Sequence, residues 1–287
     1  MNTQAIRQFR DNLGQRAVWG PFSKTADPAV VEAIGHAGAD FIILDMEHGP
    51  SSLRDLEHLI RAAELGGVLP IVRVPEQAWP MIGAALDLGA GGVQMPQVRS
   101  ADDARRLITH ARFAPLGQRG VCRHVRAACY SALDKQEYFA AANEAVLVAQ
   151  LEGKEALANL DAILAVEGLD VIFVGPYDLS QSLGVAGHVQ HPAVVEAVEG
   201  IVRRADASGV LTGTFVETME QAVFWREQGI RYISYGVDIS LLYGCVHGLV
   251  EEFRAGDASG RLRHAGGVPL AGMHHGRSAQ CTTPDKQ

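Results

Sequence analysis

Basic residues are in short supply in this chain, cysteines are few, and no apolar stretch is long. Lysine and arginine number 25 against 33 acidic residues, a net charge of −8, and no basic cluster rises above that background. That balance excludes the electrostatic footprint of a nucleic-acid-binding surface. The four cysteines, Cys122, Cys129, Cys245 and Cys281, lie far apart or seven residues apart. Neither arrangement matches a zinc pair or a disulfide framework. No run approaches the ~20 apolar residues that span a bilayer, and the opening MNTQAIRQFRDNLGQR has no apolar core of a secretory signal. The expectation is a reduced, cytoplasmic protein that engages neither nucleic acid nor membrane.

What is present is ordinary globular material: 287 residues, 47% hydrophobic and 20% charged, enough to bury one full core. Short β-branched or apolar runs recur at Ala17–Phe22, Phe41–Met46, Leu69–Val74, Gly91–Met95, Val146–Leu151, Asp170–Val174, Val210–Val216 and Tyr232–Val237. Amphipathic stretches separate them, among them Pro28–Ala37, Leu53–Leu65, Ala101–Ala111, Glu155–Val166, His191–Ser208 and Met219–Gln228. The runs IIL, LPIV, VLVA and VIFV are apolar throughout, as strands covered on both faces are. Such alternation indicates βαβ units in a parallel sheet. A count near eight favours a closed (β/α)8 TIM barrel, which takes ~250 residues, over an open doubly wound sheet.

Residues 1–256 are assigned to the barrel. The remainder, 257–287, is rich in Gly, Ser, Thr and His and reads as a poorly packed tail, where the adjacent His274 and His275 lack partners for a metal. One connection is too long. Between Ala111 and Asn143 the pattern lapses into FAPLGQRGVCRHVRAACYSALDKQEYF, and insertions of that length in a barrel are usually functional.

Barrel enzymes carry their chemistry at the C-terminal ends of the strands. Four runs here end in polar groups: Asp45-Met46-Glu47-His48, Arg73, Gln150-Leu151-Glu152, and Gly175-Pro176-Tyr177-Asp178-Leu179-Ser180. Glu152 and Asp178 end adjacent strands, and two converging carboxylates repel unless a proton or cation lies between them. An oxygen-only pair with room for water and substrate suits a hard divalent ion such as Mg2+ or Mn2+. The alternative is two solvated acids at helix N-termini. His48 follows Asp45 by three residues, so Asp45 can orient the ring and raise its basicity; the alternative is a loop histidine held for structural reasons. Glu47 alternates away from both and reads as peripheral. Arg73 needs an anion at that depth, either Asp45 or Glu152 or a substrate carboxylate or enolate. Tyr177-Asp178-Leu179-Ser180 opens a helix whose N–H groups suit a carboxylate. No strand end supplies a lysine for a Schiff base. The set points to chemistry α to the carbonyl of a 2-oxo acid.

At these residues the chain resembles the HpcH/HpaI family of metal-dependent, class II pyruvate aldolases. The matching stretches are DFIILDMEHGP, PIVRV, ALDLGAGGVQMPQV, PLGQRG, AQLEGKEALANLDAI and VEGLDVIFVGPYDLSQSLG, spread over most of residues 17–240. The resemblance implies a lyase that cleaves or forms the bond between a pyruvate-type enolate and an aldehyde, using Mg2+, Mn2+ or Co2+. It implies a homo-oligomer, trimer or hexamer, with the last helix exchanged between subunits. By motif it implies Glu152 and Asp178 as metal ligands, His48 with Asp45 as the acid/base pair, Arg73 at the enolate, and Gln150 as a pyruvate contact. Asp87 is implied to reach a neighbouring subunit's site, and PLGQRG to be an active-site loop. The chain departs from the family pattern in Trp19-Gly20-Pro21-Phe22-Ser23-Lys24, in Tyr177, which stands where a small residue is common, and in the basic Arg123-His124-Val125-Arg126. These departures leave the acceptor open. A citrate-like polyacid or acyl thioester is the second enzymatic reading, and a non-catalytic binding barrel the third.

Overall fold

The apolar runs form eight parallel strands: β1 (Val18–Ser23), β2 (Phe41–Asp45), β3 (Leu69–Arg73), β4 (Gly92–Met95), β5 (Val146–Leu151), β6 (Val171–Val174), β7 (Leu211–Val216) and β8 (Tyr232–Val237). They pair in sequence order, and β8 closes on β1. This is the (β/α)8 barrel that the alternation predicts. The structure, a computed structural model, describes residues 2–259. The helices Leu53–Gly66, Ala101–Ala111 and Met219–Glu227 start where Ser52, Ser100 and Thr218 form reciprocal capping boxes, which satisfy N–H groups that a helix start leaves unpaired. The single helix expected over Glu155–Val166 is two, Lys154–Ala158 and Leu160–Leu164. They break at Asn159, whose side chain donates instead to the Arg99 carbonyl at 2.9 Å.

Two cores result from strands covered on both faces. One lies between the strands and the surrounding helices, built from residues such as Ile42, Leu44, Val72, Leu147 and Ile172. The other fills the barrel with Phe22, Phe41, Ile43, Ile71, Val148, Phe173 and Tyr232. Tyr232 stacks on Phe41 at 4.1 Å, and a Cβ at Gly213 would sit 2.8 Å from the Tyr232 ring, so only glycine leaves room for it. A helix over Thr3–Gln15, in the polar opening segment, plugs this end of the barrel with Ile6, Phe9 and Leu13. Arginines in it and just after it fasten it beside the strand starts: Arg10 to Asp170, Arg16 to Asp40.

The long connection is ordered rather than irregular. It holds a 3-10 turn at Arg126–Ser131 and a helix at Lys135–Ala142, packed on a small core of Phe113, Ala127, Ala128 and Tyr138. After β8, Asp238 opens a helix that runs to Ser259, past Ala255, where the sequence pattern stops. Residues up to Ser240 form one compact unit, and the helix from Leu241 belongs to a second. That helix segment exposes Leu242, Val246, Leu249 and Phe253, which recur at helical spacing. The tail expected over 257–287 lies, beyond Ser259, outside the described residues, as do His274 and His275.

Candidate active site

Strand alternation builds the site. Side chains at every second position point into the barrel, so Ile43, Ile71 and Val148 make an apolar layer and Asp45, Arg73 and Gln150 stand one step above it. The register places Asp45 beside Arg73 and Arg73 beside Gln94. Continuing the alternation past β5 brings Glu152 into the same mouth. A cavity of about 180 Å3 opens there, lined by Lys24, Arg73, Gln150, Glu152, Tyr177 and Asp178 over an apolar floor that includes Phe22 and Phe173.

Arg73 is the best-fixed group in it. Its Nε and Nη2 donate to the two Asp45 oxygens at 2.9 and 2.7 Å, its Nη1 lies 3.2 Å from Glu47, and its guanidinium sits 4.7 Å over the Phe22 ring. Burial would raise the Asp45 carboxyl, but Arg73 and the backbone N–H groups of His48 and Glu47 outweigh it and hold the group below its ordinary value. Of the two partners expected for Arg73, Asp45 is found and Glu152 is not; Glu47 takes the second place. Glu47 is therefore not peripheral. Burial, opposed by Arg73 and reinforced by the charges of Asp45, Glu76 and Asp178, pushes its carboxyl up.

The expected Asp45–His48 ring contact is also corrected. Asp45 accepts the His48 backbone N–H at 3.3 Å, while the imidazole is 63% exposed and lies 3.9 Å from Glu47. Arg73 uses both Asp45 oxygens, and a loop that turns back to give N–H groups to Asp45 directs the ring outward.

Glu152 is buried and accepts from the Gln97 N–H at 3.0 Å and from the Gln150 amide. Gln150 in turn accepts from Gln94, a buried residue that the sequence reading passed over and that inward alternation identifies. Burial, with the charges of Asp178 and Glu47 added, pushes the Glu152 carboxyl up to about 7 against the pull of its two hydrogen bonds. Gly175 gives it space, since a Cβ there would meet Glu152 at 3.0 Å. Asp178 stands exposed in the first turn of the short helix Pro176–Ser182. Tyr177 beside it donates to Glu217, and burial together with that bond pushes its hydroxyl up to about 12.

Lys24 changes one expectation. It follows β1 directly, lines the cavity, and places its Nζ 3.8 Å from Asp45, so a strand end does supply a lysine. Asp238 fixes that turn, accepting from the Ser23 and Thr25 hydroxyls at 2.7 Å and from the Lys24 N–H at 3.0 Å. The basic loop does not join the site. Arg126 binds Glu64, Arg123 donates to the Leu133 carbonyl, and His124 faces Ser131. Asp87 and Arg119 of PLGQRG pair at 2.5 Å and do not line this cavity.

The residues fit a divalent ion. Asp45, Glu47, Glu152 and Asp178 oppose Arg73 and Lys24 around one mouth, an excess of two negative charges when all are ionised. Of these four carboxylates, Glu152 and Asp178 form no ion pair among the described residues, and Glu152 resists ionisation. Among the described residues no group of three or more His, Cys, Asp or Glu side chains is arranged to hold a metal ion, so water and substrate oxygens would complete the coordination.

The family model of HpcH/HpaI aldolase/citrate lyase matches residues 19–244. The chain belongs to this family. A 2-keto-3-deoxy-L-rhamnonate aldolase of Escherichia coli O157:H7 is 33% identical over 92% of this chain and 99% of its own. A solved HpcH/HpaI family protein from Burkholderia cenocepacia J2315 is 31% identical with TM-score 0.82, covering 88% of this chain and 100% of its own. The citrate synthase SbnG is 29% identical with TM-score 0.77, covering 89% and 98%. The chain is accordingly an aldolase-type carbon–carbon lyase. No helix among the described residues is long and apolar enough to cross a membrane.

Because the folded protein raises the Glu152 carboxyl from 4.5 to about 7, it binds more protons than the unfolded chain between those values. In chelator, stability should fall as pH rises through that window, by on the order of 2–3 kcal/mol. Urea denaturation at pH 5 and pH 7.5 checks this. Glu152→Gln should remove most of the decline, and a decline left unchanged by that substitution would contradict the assignment.

Proposed function

We propose that this aldolase holds a divalent ion, Mg2+, Mn2+ or Co2+, at Glu152 and Asp178, and that it joins or splits a pyruvate-type enolate and an aldehyde. The observation that carries the reading is the uncompensated carboxylate pair beside a fixed guanidinium at the barrel mouth. When bound, the ion supplies Lewis-acid stabilisation of negative charge on the 2-oxo acid.

The chain's own groups do the rest. With Asp45 and Glu47 occupied, Arg73 keeps one N–H on each terminal nitrogen for the enolate oxygen. Gln150, locked between Gln94 and Glu152, orients the Glu152 carboxylate and lines the floor where pyruvate would sit. Asp45 serves by positioning Arg73 and the His48 loop. In cleavage, the hydroxyl proton leaves for a base at the mouth as the C–C bond breaks, its electron pair enters the enolate, and a proton returned to C3 gives pyruvate. The reading assigns the exchange of that proton with solvent to His48, which is exposed and beside Glu47. Free, exposed Cys122, Cys129 and Cys245 suit a reducing, cytoplasmic setting.

A citrate-like polyacid acceptor is the second reading. Its basic loop is engaged elsewhere, but Lys24 supplies a cation in the cavity, and thiol release from acetyl-CoA with oxaloacetate separates the two. For assembly, the apolar stripe of the helix after Ser240 is proposed to pack on another copy of the chain, trimer or hexamer, with Asp87 near the neighbour's site.

Exchange of the C3 protons of pyruvate with deuterium, followed by NMR, should require added Mg2+ or Mn2+, stop with chelator, and drop by about 100-fold or more in Glu152→Gln. Full turnover after exhaustive chelation would overturn the reading. Light scattering should show an oligomer that Val246→Asp with Leu249→Asp dissociates; a monomeric wild type would refute the packing.

A further inference from the structure

The catalytic cavity has a neighbour. A second cavity of about 230 Å3 lies against the end of β7 and the helix Met219–Glu227, and the two cavities share Pro176, Tyr177 and Phe215 as walls. Its surface is mostly apolar: Val189, Val195, Phe215, Phe224 and Trp225. Several polar groups in its wall are engaged, although among the described residues the exposed Gln190 side chain and the Gln221 amide nitrogen are not. Glu217 accepts from the Tyr177 hydroxyl. Gln221 accepts from the N–H groups of Glu217 and Thr218 at 2.9 and 3.3 Å, completing the cap of its helix. Glu220 is bonded to the Thr218 side chain. An occupant therefore meets mainly hydrocarbon, with the Gln190 and Gln221 amides among its few free polar neighbours. The Tyr177 and Phe215 rings, 6.3 Å apart, form the partition from the catalytic cavity.

We propose that this cavity receives the apolar tail of the acceptor aldehyde, and that Tyr177, tied to Glu217, is the partition that sets which tails enter. The proposal rests on the aldolase reading and adds the substrate class: an uncharged aldehyde bearing an aliphatic chain or aromatic ring. Three observations select that class. The volume suffices, since an apolar cavity of roughly 150 Å3 accepts a benzene ring. A polyhydroxylated tail would strip water from those hydroxyls that face Val195, Phe224 and Trp225, where the wall offers no partner. An acidic tail would meet the carboxylates of Glu217 and Glu220.

The test uses the full chain with Mn2+, pyruvate and three aldehydes: acetaldehyde, hexanal and succinic semialdehyde. The expected kcat/KM for hexanal exceeds that for each of the others by at least about tenfold, as buried methylenes discriminate. Val189→Asp, which puts a charge in the cavity, and Phe224→Ala, which removes part of its wall, should bring the hexanal-to-acetaldehyde ratio towards one. A readout without turnover or metal is saturation-transfer NMR with 1-hexanol, expected to show binding to the wild type and its loss in Val189→Asp. A wild-type ratio at or below one, absent hexanol binding, or a ratio unmoved by both substitutions overturns the proposal. Pyruvate C3 exchange separates the two failures: if exchange occurs but hexanal is not preferred, the cavity assignment falls alone, and if exchange is absent the aldolase reading falls with it.

Discussion

Two buried or half-buried carboxylates bind one arginine, and two more stand beside them with no cation of their own: this excess of negative charge at the barrel mouth is the constraint that the rest of the site answers. Water would solve it on an open surface, but Glu152 is only 6% exposed, and its carboxyl moves up to about 7 as a result. Like charges at close range in a poorly hydrated site leave two remedies, a proton or a cation. At neutral pH the proton is only a partial remedy. A divalent ion would neutralise the excess and leave Arg73, whose charge is already spent on Asp45 and Glu47, free to use its remaining N–H groups on substrate.

The barrel is what forces these groups together. Inward positions of neighbouring strands share a layer, so one polar residue at the top of β2, β3, β4 and β5 produces Asp45, Arg73, Gln94 and Gln150 side by side. The aromatic layer beneath them and the N-terminal helix below that keep water from entering from the other end. The same geometry explains why hydrogen bonds run sideways along the rim, from Gln94 to Gln150 to Glu152, and orient Glu152 without neutralising it.

Much of this was legible in the chain because strand ends and alternation are one-dimensional signals. The eight apolar runs predict the barrel, and the polar residues closing four of them point to side chains at the mouth. What escaped was decided by geometry off the strands. Glu47 and His48 lie past the strand in a loop that turns back on Asp45, so spacing alone did not show that Glu47 joins Asp45 on Arg73 or that the His48 ring faces outward. Lys24 belongs to a turn fixed by Asp238, 214 residues away in sequence. Gln94 lay in a strand too short to show its period. The helix Thr3–Gln15 escaped because the segment is polar overall, although Ile6, Phe9 and Leu13 recur at helical spacing, and its burial depends on a barrel floor that only the fold creates. The cavity behind Tyr177 needs β7 and two helices to exist at all.

The claim that the charge excess marks a cation site is tested most directly by a crystal structure of the protein grown with Mn2+ and a pyruvate analogue, using anomalous scattering to locate the metal. The account predicts one strong anomalous peak between the carboxylates of Glu152 and Asp178, with Arg73 still bound to Asp45. A peak elsewhere, at Glu47 and His48 for instance, or none in protein that exchanges pyruvate protons, would contradict it.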